Sequence, residues 1–409
     1  MVCVTSMVLL AGLGFAQDPA AITGWTVQEN LVYDYVDSGE GAEYVIHPTQ
    51  MAGGVIVGNR IYMVGGYNTR RENGGWDDTN YAYSFPINPY DGTVGDCRIE
   101  ADLPEDEATT LENDACYSYI HEAVVATDTH IYIHGGSWNT GGSNTSDRNV
   151  CTYTAIDSSD TTLESWSVTA EYPSSYAGEL AVAAICENGY LYCFGGHDKN
   201  NCIYAQIQGD GSLGTWTEAA NLPRVANFAA CESIGNYIIL LPGIETAWDR
   251  ASVTKKVYVC KVNPDGTMDS WVEQTAEIPE AAYNCNLEAV GNTLFMVGAR
   301  NTNTGTNSTT WVWRATFNSS AADAAMVTGW TDSVDTQLPY PVRYHEVEYS
   351  PVSKTLYIFC QRTDRDPVDG AVIDTGVVNE VWYSSPLFDR PTPTPTPVIL
   401  EAKSWGLYE

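Results

Sequence analysis

Internal repetition constrains this chain more than any other feature, because a unit copied along a sequence must bury its faces against its neighbours. One string recurs as DGTVGDCRIEADLP from Asp91, DTTLESWSVTAEYP from Asp160, DGSLGTWTEAANLP from Asp210 and DGTMDSWVEQTAEIP from Asp265. Diverged copies are MVTGWTDSVDTQLP from Met326 and ITGWTVQENL from Ile22. The anchor residues are Trp25, Cys97, Trp166, Trp216, Trp271 and Trp330, spaced 50 to 72 residues apart.

A second string follows each first one: an alternating segment, a tight turn, then an apolar segment ending in small residues. Its clear copies are MAGGVIVGNRIYMVGGYN, HEAVVATDTHIYIHGGSW and ELAVAAICENGYLYCFGGHD. Later copies lose the glycine pair, which becomes Pro242-Gly243, Gly298-Ala299 and Phe359-Cys360. The turns Gly58-Asn59, Asn188-Gly189, Gly235-Asn236 and Gly291-Asn292 are hairpin signals. A third element is a short aromatic strand around Tyr81, Tyr153, Tyr204, Tyr258, Trp313 and Trp382. Six units of four strands predict an all-β, six-bladed β-propeller. The chain opens on an isolated Trp-strand and ends on a unit that lacks one. The N-terminal strand is therefore expected to complete the last blade and close the ring.

The Gly-Gly strand ends, the tyrosines and the Trp followed by Leu-Pro or Ile-Pro resemble the kelch-repeat family, over roughly Gly24 to Arg390. The kelch period of about 50 residues fits the shorter spacings. The resemblance implies a propeller and admits two carbohydrate-active chemistries. Copper radical oxidases similar to galactose oxidase need two Tyr, two His and a cross-linked Cys, and no set here matches that pattern. Propellers that isomerise sialic acids match in fold only, and fold does not carry function.

The ends differ from the repeats. Residues 1–17 are apolar and small, as in the core and exit of a secretory signal, but carry no Lys or Arg before the apolar run. The expected organisation is a signal-like segment at 1–17, a propeller at 18–390, a Pro/Thr linker at 391–397 and a strand-like tail at 398–409. The linker PTPTPTP favours polyproline II and acts as a semi-rigid spacer. The apolar run is too short for a membrane span. The expected location is extracellular or cell-surface.

Charge narrows the partners. With 52 Asp and Glu against 19 Lys and Arg, the formal charge is −33. Such a chain repels nucleic acid and anionic membranes. Calcium is the one cofactor its acidic loops would suit, yet no DxDxDG-type loop appears, so no cofactor and no metal site is assigned. The ten cysteines outside the leader could pair in an oxidising compartment, but no CxxC spacing points to zinc and no bridge is assigned.

His121 and His345 occupy equivalent places, each followed by Glu, where a packing role outweighs a ligand role. Trp76, Trp138 and Trp248 lie among polar loop residues and are candidates for stacking on sugar rings. With Arg224 and Arg343, and with His121 and His345, they form the candidate ligand-binding set. No catalytic residue is assigned. Asn144, Asn307 and Asn318 head N-x-S/T triplets, and Thr392, Thr394 and Thr396 lie in the spacer. These six are candidate glycosylation sites.

The leading functional expectation is a secreted, non-catalytic binding or scaffold propeller for an extracellular protein or glycan. One alternative is a fibre or surface-layer subunit that self-associates through the strand-like tail Val398 to Tyr408 or the N-terminal segment. The other is a carbohydrate-active enzyme of oxidase or sugar-isomerase type.

Overall fold

The computed structural model describes residues 18–29, 35–37, 43–45, 52–68, 77–78, 81–104, 120–139, 145–147, 149–169, 171–173, 175, 180–246, 250–301, 308–359, 362–363 and 380–391. The segment 1–17 and the tail 398–409 lie outside these residues. Among the described residues there is no α-helix.

Six antiparallel sheets follow one another as blades of a ring, each with a path of four strands, and Thr145–Asp147 adds a fifth strand to the second. Their inner strands are Gly53–Val57, Ile120–Ala126, Ala181–Ile185, Ala230–Ile234, Asn286–Val290 and Glu346–Ser350. Each pairs with a second strand across a hairpin, then a third and an outer strand. The second strands are the apolar runs of the repeat, and Thr293–Val297 and Thr355–Phe359 are buried at every position. A sheet covered on both faces demands such runs instead of alternation. The outer strands Ser167–Val168 and Thr217–Glu218 are short and exposed, which blunts the outer edges.

The core has no single centre. It divides into six apolar clusters, each drawn from two adjacent blades. Ile61, Phe85, Tyr357 and Phe359 join the sixth blade to the first, and Val55, Val64, Ile131 and Ile133 join the first to the second. The remaining clusters continue around the ring in the same way.

The two most regular strings of the sequence meet at these interfaces. The Tyr62 hydroxyl donates to the Thr161 carbonyl at 2.7 Å, and Tyr132 to Gly211 at 2.8 Å. Tyr192 donates to Gly266 at 2.9 Å, and Tyr357 to Gly92 at 2.8 Å. Each acceptor lies in the D-G-T type turn of the next blade. Within those turns Asp91, Asp160, Asp210 and Asp265 accept the N–H and hydroxyl of the Thr or Ser two residues on. Those hydrogen bonds hold the four carboxyls below their usual range. Gly211 has φ +82°, and an added Cβ would lie 2.0 Å from the His130 ring, so glycine is required there. The fourth and fifth blades carry Ile239 and Phe295 at the tyrosine position, and the turns they face lack the D-G-T string. Tyrosine and turn are lost together.

Trp25–Glu29 pairs antiparallel with Glu380–Ser384 as the outermost strand of the sheet that holds Thr355–Phe359 and Glu346–Ser350. The segment leading into it is fastened to the fifth blade. Asp335 Oδ1 accepts the Ile22 N–H at 2.8 Å, and both Asp335 oxygens pair with Arg314 at 2.5 and 2.6 Å. Arg314 also donates to the carbonyls of Pro19 and Ala20. Trp25 Nε1 donates to the Thr336 carbonyl at 2.9 Å, as Trp166 does to Ala101 at 2.8 Å.

The glycine pairs behave as expected from the repeat. Gly65, Gly135 and Gly195 all have positive φ, and a Cβ on Gly195 would sit 2.8 Å from the Ala226 carbonyl. The eight described cysteines are all free thiols. Cys186 and Cys285 fill core positions, as small buried residues do.

Replacing Asp335 by Ala strands a largely buried guanidinium and the Ile22 N–H. The expected loss is ~3 kcal/mol of unfolding free energy, read by urea denaturation, with new protease cleavage near Ala20. A loss below ~1 kcal/mol, the value of a surface pair, would show that Arg314 and Asp335 do not fasten the N-terminal segment.

Candidate functional site

The inner strands surround a tunnel, and a cavity of about 300 Å³ lies in it. Strand geometry explains why this space is chemically uneven. Glu232, Glu288 and Glu348 pair with Ile239, Phe295 and Tyr357 on their second strands, so three successive blades place a carboxylate at one level. At the same level the other blades carry Val55, Val125 and Ala184. Glu232, Glu346 and Glu348 line the cavity, opposite an apolar wall that includes Val55, Val125 and Ile185.

The inner edge of each blade exposes backbone groups that the sheet leaves unpaired, and side chains of neighbouring blades serve them. Glu288 accepts the Tyr349 N–H at 3.1 Å, and Glu348 accepts the Ile56 N–H. Ser233 Oγ donates to the Ile185 carbonyl at 2.8 Å, and Cys231 Sγ to that of Ala183 at 3.1 Å. Asn286 Nδ2 donates to Glu346 at 2.8 Å. Glu232 accepts the adjacent Ser233 N–H at 2.6 Å. No Lys or Arg is among the described cavity-lining residues.

Burial against these walls raises every one of the carboxyls. Glu232 is pushed up to about 7 and Glu346 to about 8. Glu288 and Glu348 also lie well above the usual range, first through desolvation and then through repulsion by neighbouring carboxylates.

The mouth of the tunnel carries a second repeated feature. Leu180, Phe228, Asn284 and Tyr344 precede or begin four inner strands and have φ of +62°, +51°, +55° and +51°. Bulky side chains rarely adopt this conformation, and each instance costs on the order of 1 kcal/mol. The bonds across the mouth offset that cost: Asn284 N–H donates to the Phe228 carbonyl at 3.1 Å, and Tyr344 N–H to Asn284 Oδ1 at 3.2 Å. The result is a platform of two half-buried rings, Phe228 and Tyr344, resting on the buried ring of Tyr283. Phe228 lies 5.9 Å from Tyr283 and 6.5 Å from Tyr344 between centroids. Arg300 lies over both tyrosine rings and donates to the Tyr344 hydroxyl at 3.1 Å, and Arg343 lies over Tyr344.

His345 is 6% exposed and lines the same tunnel. Its Nε2–H donates to the Val297 carbonyl at 3.0 Å, a tautomer assigned from that acceptor, which leaves Nδ1 as a lone-pair acceptor without a partner. Burial lowers its pKa to about 4, so the ring is neutral at physiological pH.

Of the candidate ligand-binding residues, Arg343 and His345 come together at the mouth. Arg224 stands apart, exposed and paired with Glu245 at 2.8 Å. His121 and Trp138 fall in strands Ile120–Ala126 and His130–Asn139, but their side chains lie outside the described set. Trp76, Trp248, Asn144, Asn307, Thr392, Thr394 and Thr396 also lie outside the described residues. Asn318 is exposed in a turn, its side-chain oxygen accepting the Ser320 N–H. Among the described residues no three His, Cys, Asp or Glu side chains form a metal cage. Sequence reasoning passed over Glu232, Glu288 and Glu348. Their signal is an acidic residue inside ACES, NLEA and EVEY where the earlier units have an apolar one.

No protein-family model and no curated protein matches the chain. Among solved structures, that of YjhT is similar, with a TM-score of 0.52 and 13% identity over 80% of this chain and 94% of that one. At this identity the similarity carries the fold alone.

The raised carboxyls make stability fall with rising pH. Between the unfolded value of 4.5 and the folded values of about 7 and 8, the folded state keeps protons that the unfolded chain has released. Their contribution is therefore fullest below pH 4.5 and is lost as pH rises through 7 to 8. His345 acts oppositely, losing its contribution as pH falls from 6.5 through about 4. Thermal melts of Glu346→Gln are expected to fall less than wild type between pH 6 and pH 9. Parallel curves would show that Glu346 is ionised throughout.

Proposed function

We propose that the chain is a divergent kelch-type propeller, extracellular or on the cell surface, that binds a protein or glycan at the tunnel mouth without transforming it. The observation that carries this reading is the strained mouth. Phe228, Asn284 and Tyr344 are held in the left-handed region by bonds between blades, with Leu180 in the same conformation, and such strain collects where a surface is shaped for recognition. The half-buried rings of Phe228 and Tyr344, with Arg343 and Asn284 beside them, combine stacking faces with hydrogen-bonding groups, the mixture used for sugars and for protein loops. The net charge of −33 supports an extracellular partner over nucleic acid.

The test is a glycan array together with an immobilised panel of extracellular proteins, probed with wild type and with the Phe228→Ala/Tyr344→Ala double variant. Saturable binding is expected, weakened at least about tenfold in the variant, as for loss of central aromatic anchors. A variant that binds as wild type would place recognition elsewhere.

A further inference from the structure

We propose that the tunnel is a binding site for an elongated organic polycation of the polyamine class. The cavity reaches the mouth residues Phe228, Asn284 and Tyr344, but the groups invoked here are the glutamates and His345 and not the aromatic rings, so the inference does not depend on the recognition proposed for the mouth. Three observations converge on it. First, Glu232, Glu346 and Glu348 line one cavity, and among the described residues each is hydrogen-bonded only by neutral groups. Second, His345 lines the same cavity while only 6% exposed, and its Nδ1 is an acceptor with no donor. Its tautomer is fixed by Val297, so rotation of a proton cannot supply one. A buried acceptor without a partner is costly. The unmet donor of the lining, Asn284 Nδ2, belongs to the mouth. Third, the opposite wall is hydrocarbon, with Val55, Val125 and Ile185.

A bare metal ion answers only part of this. The described acidic groups do not gather into a metal cage, and an ion would leave the apolar wall wet. A chain of ammonium groups joined by methylenes meets all three needs. Glu346 and Glu348 are two residues apart on one strand, about 7 Å along the tunnel. Amino groups separated by three or four methylenes stand about 5–6 Å apart by bond lengths. The N–H groups would donate to the carboxylates and to His345 Nδ1, and the methylenes would lie on the valines. No covalent bond between heavy atoms is made or broken; the protons that Glu232 and Glu346 hold up to about pH 7 and 8 are released to solvent as the ammonium groups bind.

Spermidine is the probe, titrated calorimetrically into the full chain at moderate salt. One molecule is expected to bind per chain, with affinity reduced at least about tenfold in Glu232→Gln/Glu348→Gln, as for loss of charge-assisted bonds. The rim control Glu164→Gln/Glu218→Gln, exposed at the outer edges of the second and third blades, is expected to bind as wild type, which separates the tunnel from general attraction to an acidic surface. A measurement on the wild type guards against a variant that fails to fold: spermidine should shift the amide resonances of Ile56 and Ser233, whose N–H groups Glu348 and Glu232 hold. The proposal is overturned by absence of saturable binding, by equal loss in the rim control, by unmoved Ile56 and Ser233 resonances, or by calcium displacing spermidine from the same glutamates at lower concentration.

Discussion

The structure depends on what one blade can do for the next. A four-stranded sheet with two apolar faces cannot persist alone in water, and here each face is closed by a neighbour, giving six separate clusters in place of one core. Apolar contact alone leaves the rotation of one blade against another loosely defined. The tyrosine hydroxyls define it. Each reaches across an interface to a single carbonyl whose place is fixed by an Asp-capped turn. Two strings that look independent in the sequence are the halves of one contact.

Where that contact is absent, another replaces it. The fifth blade has Phe295 at the tyrosine position, and Arg314 lies over its ring 4.9 Å from the centroid. The same guanidinium pairs with Asp335 and holds the segment that leads into Trp25. The irregular part of the ring is thus the part that receives the N-terminal strand. It is also where the tunnel turns acidic, since Glu232, Glu288 and Glu348 belong to the fourth, fifth and sixth blades. Divergence from the repeat in these units goes with specialisation of the tunnel wall.

The architecture was legible because its determinants are local and repeated. Hairpin turns, Gly-Gly strand ends and the Trp register announce six blades, and the apolar second strands reflect burial on both faces. The candidate site was legible only in fragments. His345 was singled out through its place in the repeat, and Arg343 was named beside it without such an argument. Glu232 and Glu288 were not singled out, because one glutamate in a strand says nothing until ring geometry sets it beside two others. The left-handed conformation at the mouth could not be foreseen at Leu180, Phe228 and Tyr344, which carry no signature for positive φ; only Asn284 is of a type that favours it. Trp76 and Trp248 fall outside the described residues and bear on neither binding proposal.

The tyrosine contacts between blades are the point at which this picture is most exposed to test. The direct measurement is urea denaturation of Tyr132→Phe, Tyr192→Phe, Tyr357→Phe and the triple variant. Each single change removes one hydroxyl and leaves a buried carbonyl unmet, so a loss of about 1 kcal/mol apiece is expected. The three sites share no partner, so the losses should add to about 3 kcal/mol in the triple variant. Single variants as stable as wild type, or a triple variant no weaker than one single, would show that apolar stacking alone sets the blades and that the hydroxyl contacts follow from it.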